Sequence, residues 1–141
     1  MTGYLLDTNC ISEAVRVRPD PRVMSWLGSA DEALLYLSVL TLGEIRKGVA
    51  ALPQSRRRSV LETWLSAELQ ARFSSRILPI DGAIANRWGS LAAAAKTKGT
   101  ALSTIDGLLA ATAIQHNLTI VSRNDGDFAH THVPVLNPWK L

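Results

Sequence analysis

One cysteine, two phenylalanines and two tyrosines are all that a chain of 141 residues holds of these types. Cys10 on its own cannot close an internal disulfide. No cysteine or histidine stands near it at zinc-ligand spacing, so neither a disulfide framework nor a zinc cage is available, and a small buried apolar role is expected for it. Also missing is any apolar run approaching the roughly 20 residues that a membrane helix requires. The start of the chain lacks the basic stretch and small-residue cleavage site of a secretory signal, and no Gly-rich phosphate loop or dinucleotide fingerprint occurs. No repeat, low-complexity tract or Gly/Ser linker divides the sequence. These absences argue against a membrane span, a secreted disulfide scaffold and a nucleotide-binding fold, and they lead to the expectation of one cytoplasmic domain over residues 1–141.

What is present is the composition of a globular core: 47% hydrophobic and 19% charged residues, with a net charge of +3 and a pI near 9.4. That excess of positive charge is a mild attraction toward phosphate polymers. Short apolar runs at 4–6, 34–39, 77–80, 118–121 and 133–136 read as buried strands. Helical spacing occupies 11–17, 21–29, 42–52, 55–73, 83–98 and 103–115. In the fourth of these, Val60, Leu61, Trp64, Leu65, Leu69 and Phe73 recur at i, i+3 and i+4, the pattern of an amphipathic helix on a core. Strands alternating with helices predict an α/β fold, a small Rossmann-like sandwich with a mainly parallel sheet flanked by helices.

In such sheets ligands bind beyond the carboxyl ends of the strands, and acids are found there. Asp7 follows Leu5-Leu6, Glu44 lies three residues after Thr41, Asp106 lies three after Ser103, and the last long strand runs into Asn124, Asp125 and Asp127. Each acid alone fits a helix-capping role: Asp7 as a cap, Glu44 in a capping box with Thr41, and Asp106 in a looser version with Ser103. Together they converge on one edge. Two carboxylates about 4 Å apart repel by about 4 kcal/mol at an effective dielectric near 20, so several meeting there require a cation. Arg46, Lys47 or Arg123 could neutralise part of the group, but an all-oxygen cluster is the donor set that hard ions such as Mg²⁺ prefer. An ion held this way can polarise a phosphodiester for hydrolysis.

The successive blocks Leu5-Leu6-Asp7-Thr8-Asn9, Ser38 to Gly48 around Glu44, Asp106-Gly107-Leu108-Leu109-Ala110-Ala111-Thr112-Ala113 and Leu118 to Asn124 resemble those of PIN domains, with the nearest likeness to VapC/FitB-type toxins. The blocks occur in family order across almost the whole chain, and the closing Asn137-Pro138-Trp139 also looks like the FitB type. The resemblance implies a PIN fold and an endoribonuclease dependent on Mg²⁺, with Mn²⁺ able to substitute. It also implies RNA as substrate, a small VapB/FitA-like antitoxin as inhibitor, and a homodimer. By position Asp7, Glu44 and Asp106 match the three acids around the metal. The fourth place departs from the pattern: Asn124 stands where many relatives have an acid, Ser122 replaces the usual Thr, and Asp127 precedes Phe128. Asp127 is favoured as the fourth catalytic and metal-binding acid, with Asn124 as a neutral hydrogen-bonding contact and Asp125 in reserve, and one or two ions both remain open. Arg46, Lys47, Arg123 and Asn124 are expected at the substrate. The alternative is a catalytically weak PIN-like module that binds RNA or protein without cutting.

Other features weigh toward structure. Arg56-Arg57-Arg58 opens a helix and reads as a solvated surface before it reads as an RNA grip. His116, His130 and His132 read as surface residues, and Trp26, Trp64 and Trp88 as packing on helical apolar faces. Trp139 closes either the core or a dimer contact. The small residues at 92–95 fit either strong helix propensity or a dimer seam.

Overall fold

The computed structural model describes residues 2–141. Its centre is a five-stranded sheet of β1 (Tyr4–Leu6), β2 (Leu35–Ser38), β3 (Ile77–Leu78), β4 (Thr119–Val121) and β5 (Val135–Leu136), in the order β3-β2-β1-β4-β5. All four pairings are parallel, with Leu5 opposite both Tyr36 and Ile120. The α/β reading is borne out, and the sheet is wholly rather than mainly parallel.

Side chains alternate across the sheet because the strand period is two. Leu6 enters a core on one face with Cys10, Ile11, Leu35, Leu37, Leu65, Leu69 and Phe73. Its neighbour Leu5 enters a second core on the other face with Leu109, Ala110, Ile120 and Phe128. Each fully buried leucine or phenylalanine contributes about 1.5–3 kcal/mol relative to exposure. Cys10 is completely buried, as expected, and burial pushes its thiol up to about 12, which leaves it chemically inert near neutrality.

The helices are α1 (Thr8–Glu13), α2 (Pro21–Ser29), α3 (Val39–Ala50), α4 (Arg56–Thr63), α5 (Gln70–Arg72), α6 (Gly82–Thr97) and α7 (Thr104–Gln115). A π-helical stretch, Trp64–Leu69, joins α4 to α5, so the segment read as one helix continues with a widened turn. Two boundaries differ in an instructive way. The helix expected at 11–17 begins at Thr8, capped by Asp7, and ends at Glu13, whose carboxylate accepts from the Asp20 amide. The helix expected at 42–52 begins at Val39, because the Ser38 hydroxyl accepts from the Leu40 amide and makes the last strand residue the cap. The expected Thr41–Glu44 capping box therefore does not form. Thr41 lies inside the helix, fully buried, with no partner for its Oγ1.

Because the strands are parallel, the residues that follow β1, β2 and β4 emerge on one edge. That edge carries Asp7, the start of α3 and Ser122. The first turn of α7, which holds Asp106, is capped by Ser103, whose Oγ accepts from the Asp106 amide at 3.1 Å.

Candidate active site

Asp7 is the most enclosed acid of this edge, at 8% exposure. Its backbone amide still belongs to the sheet, donating to Val121 O at 2.9 Å, so the carboxylate sits where the central strand stops. Oδ1 accepts from the Thr8 amide at 2.8 Å and Oδ2 accepts from Ser122 Oγ at 2.8 Å. Ser122, wholly buried, in turn accepts from Asn9 Nδ2 at 3.3 Å and from the Asn124 amide at 3.0 Å. Asn9 Oδ1 accepts from the Arg123 amide at 3.2 Å. The end of β4 is thus tied to the end of β1 by side chains as well as by the ladder.

Glu44 joins the same group from α3: Thr8 Oγ1 donates to Glu44 Oε1 at 2.6 Å. Thr8 thereby touches both acids, through its amide to Asp7 and through its hydroxyl to Glu44. Burial raises the Asp7 carboxyl above its ordinary range. The bonds from Ser122 and Thr8 oppose this, and the like charges of Glu44 and Asp106 add to it. Burial likewise raises Asp106, opposed by Ser103 and reinforced by Asp127 and Glu44. Asp7, Glu44 and Asp106 are thus linked by their like charges, whereas Asp127, which is exposed, reaches the group only through Asp106.

None of the ion pairs among the described residues includes Asp7, Glu44, Asp106 or Asp127. An electronegative, all-oxygen set with no internal countercharge matches in kind what a hard divalent cation takes. Among the described residues no three His, Cys, Asp or Glu side chains form a ready-made ligand cage, so the fit is one of charge and donor chemistry.

The remaining sequence candidates divide. Asp125, the reserve acid, is engaged elsewhere: Lys140 Nζ lies 2.9 Å from its Oδ2, and this cation holds its carboxyl below the ordinary range. Asn124 meets the network through its backbone amide, while its side chain is exposed. Lys47 shares a groove of about 400 Å³ with Val39, Leu40, Gly43, Glu44 and Ile105, between the starts of α3 and α7. Arg46 is turned about 200° round the helix from Glu44 and is not among the residues of that groove. The guanidinium of Arg123 lies over the Trp139 ring at 5.8 Å from its centre, and Trp139 is itself buried against the core. Of the triple arginine, Arg57 donates to Val15 O, and Arg58 holds Glu62 at 2.6 Å and Leu52 O at 2.9 Å. The three histidines are exposed, as read.

Sequence reasoning gave no role to Ser122, Thr8 or Asn9. The only local signal was position, since two of them directly follow Asp7 and the third directly follows a strand.

The PIN-domain family model matches residues 4–133. Toxin FitB of Neisseria gonorrhoeae is 42% identical over 135 residues, covering 96% of this chain and 97% of that protein. VapC ribonuclease Y4jK of Sinorhizobium fredii is 35% identical over 136 residues, with 96% and 97% covered. Among solved structures, FitAcB from Neisseria gonorrhoeae superposes with a TM-score of 0.93 at 42% identity, over 98% of this chain and 99% of that one. VapBC2 from Rickettsia felis, bound to a DNA fragment from its promoter, superposes with a TM-score of 0.73 at 25% identity, over 95% and 97%. With its parallel sheet, its carboxylate edge and matches spanning nearly its full length, this chain belongs to the PIN-domain family.

Proposed function

We propose that the protein is a metal-dependent endoribonuclease that hydrolyses RNA phosphodiester bonds, and that it acts as the toxin of a toxin–antitoxin pair. The reading is carried by the like-charge influence of Glu44 and Asp106 on Asp7, from three separate segments near the carboxyl edge of a parallel sheet, with none of the three acids in an ion pair among the described residues. Relatives named toxin FitB and VapC ribonuclease support it.

In this reading Asp7, Glu44, Asp106 and Asp127 hold Mg²⁺, for which Mn²⁺ can substitute. The bound ion supplies positive charge that polarises the phosphodiester. The protein's own part is positional. Thr8 sets the angle of Glu44, Ser122 and the Thr8 amide fix both oxygens of Asp7, and Lys47, at the lip of the groove beside Glu44, holds a substrate phosphate as a point charge. The resident partner is a small antitoxin of the FitA or VapB kind, in line with the toxin–antitoxin complexes among the similar structures. The active form is a homodimer.

Purified protein incubated with RNA and Mg²⁺ or Mn²⁺ tests the proposal. Cleavage that stops with EDTA and in Asp7→Asn supports it, and full activity of Asp7→Asn removes it. A second reading, binding without cutting, is favoured by Asn124 in place of an acid. Tight RNA binding with no cleavage under either ion would select it.

A further inference from the structure

After α1 the chain turns through residues 14–18, exposing Arg16, Val17 and Arg18. Val17 is 86% exposed, yet the loop that carries it is firmly fastened. Glu13, only 3% exposed, accepts from the Asp20 amide at 2.7 Å through Oε2 and pairs with Arg16 at 3.2 Å through Oε1. From the other side Arg57 of α4 donates to Val15 O. A buried carboxylate and a guanidinium from a distant helix thus fasten the loop that carries Arg16 and Arg18 beside Arg57.

Arg16, Val17, Arg18 and Arg57 line an open basin of about 510 Å³. Among the described residues the only acid paired with any of these arginines is Glu13. The basin is therefore cationic. It is also continuous with the carboxylate edge, because a groove of about 340 Å³ shares Arg16 and Arg57 with it and reaches Thr8 and Glu44 at its other end. The walls of that groove include Val15 and Trp64, apolar surface against which unpaired bases can lie.

We propose that Arg16, Arg18 and Arg57 form a preformed cationic ledge that takes the phosphodiester backbone of the RNA strand several nucleotides away from the bond being cut. This rests on the ribonuclease reading above. A ligand that lies on the ledge and ends at Glu44 is the strand whose reacting phosphate is at the carboxylates, which is why RNA is favoured over an acidic polypeptide.

The test compares wild type, Arg18→Gln and Arg16→Gln/Arg18→Gln on a trinucleotide and on a single-stranded RNA of about twenty nucleotides, long enough to span several bound nucleotides. Arg18 has no ion-pair partner among the described residues, so its replacement keeps the fold even if loss of the Arg16–Glu13 pair weakens the double variant. Expected is a rise in KM of about fivefold or more on the long RNA with kcat unchanged, and no change on the trinucleotide. Binding of the long RNA in EDTA should lose salt dependence, its log–log slope falling by about 0.7 per arginine removed. Equal losses on both substrates, or an unchanged slope, overturn the ledge. Weakened binding of poly-glutamate with unaltered RNA binding also overturns it, in favour of an acidic protein partner. A wild type that cuts neither RNA brings down the ribonuclease reading itself, a distinct outcome from wild-type cleavage with unaffected variants.

Discussion

The Ser122 hydroxyl lies 2.8 Å from Asp7 Oδ2, and its oxygen also accepts from Asn9 Nδ2 and the Asn124 amide. With both acceptor positions in use, its single proton is committed to Asp7. The contact spans 115 residues of sequence and fixes the rotamer of the central acid before any ion arrives.

Replacing Ser122 by Ala should therefore act on metal binding before it acts on the fold. The concentration of Mn²⁺ giving half-maximal activity should rise by about 10- to 100-fold, the usual effect of losing a group that orients a ligand. Ser122→Thr, which keeps the hydroxyl, should stay within a few-fold of wild type. Metal titrations of activity, with a thermal melt to confirm folding, decide the matter; an Ala variant with unchanged metal affinity would contradict the assignment.

Burial lifts the carboxyls of Asp7 and Asp106 in the metal-free protein, and their acidic neighbours add to the lift. Folded protein holds these protons to higher pH than the unfolded chain does. The stability from the two groups is then fully present below the unfolded carboxyl range and is lost as pH rises through the raised folded values. Metal-free Asp7→Asn, whose new side chain caps a helix equally well, should melt above wild type at neutral pH, and the gap should close toward about pH 4. Mg²⁺ bound at the proposed site would select the ionised form, so at about 100 times its Kd it should stabilise wild type by about 2.7 kcal/mol and the variant by far less. Calorimetry across pH, with and without the ion, reads both effects.

Gly107 follows Asp106 and packs under Trp88: a Cβ there would lie 2.8 Å from Trp88 Cδ1 and 3.0 Å from its Nε1. Gly107→Ala should cost about 1–3 kcal/mol in urea denaturation through overpacking, and should also lower activity by displacing the turn that carries Asp106. Adding Trp88→Leu should recover much of the stability, a non-additive pair. Additive losses would show that the clash does not govern the site.

Lys47 and Arg46 offer a controlled contrast on one helix. Lys47 lines the groove with Glu44 and Arg46 does not. Lys47→Ala should raise KM for RNA with little change in kcat, whereas Arg46→Ala should leave both near wild type. Equal effects in steady-state kinetics would mean that general positive charge, rather than this groove, holds the substrate.

The sheet was legible in the sequence because each strand is a short apolar run ended by a polar residue, and parallel order follows from the helices between the runs. The position of Asp7 at the sheet edge was legible for the same reason, as it stands directly after the first of those runs. Helix starts were harder to place. Ser38 and Thr41 both offer a capping hydroxyl, and the competition was settled by Ser38 standing directly at the strand end. The supports of the site lay beyond sequence reading, because they are pairwise contacts between distant segments. Ser122 meets Asp7 across the sheet, Thr8 meets Glu44 over 36 residues, and Arg57 reaches Val15 over 42. Glu13 carried no signal in the sequence, since its bond to the Asp20 amide depends on the return of the chain.

The two outermost strands, Ile77–Leu78 and Val135–Leu136, are two residues each. A foreign strand arriving at either margin finds almost no open row of amides and carbonyls to zip onto. Arg76, just before Ile77, ties β3 inward through the carbonyls of Glu32, Leu35 and Arg72. A molecule with so apolar an interior is thereby shielded from fibril-like stacking at its flanks, and concentrated stocks should remain free of cross-β aggregates.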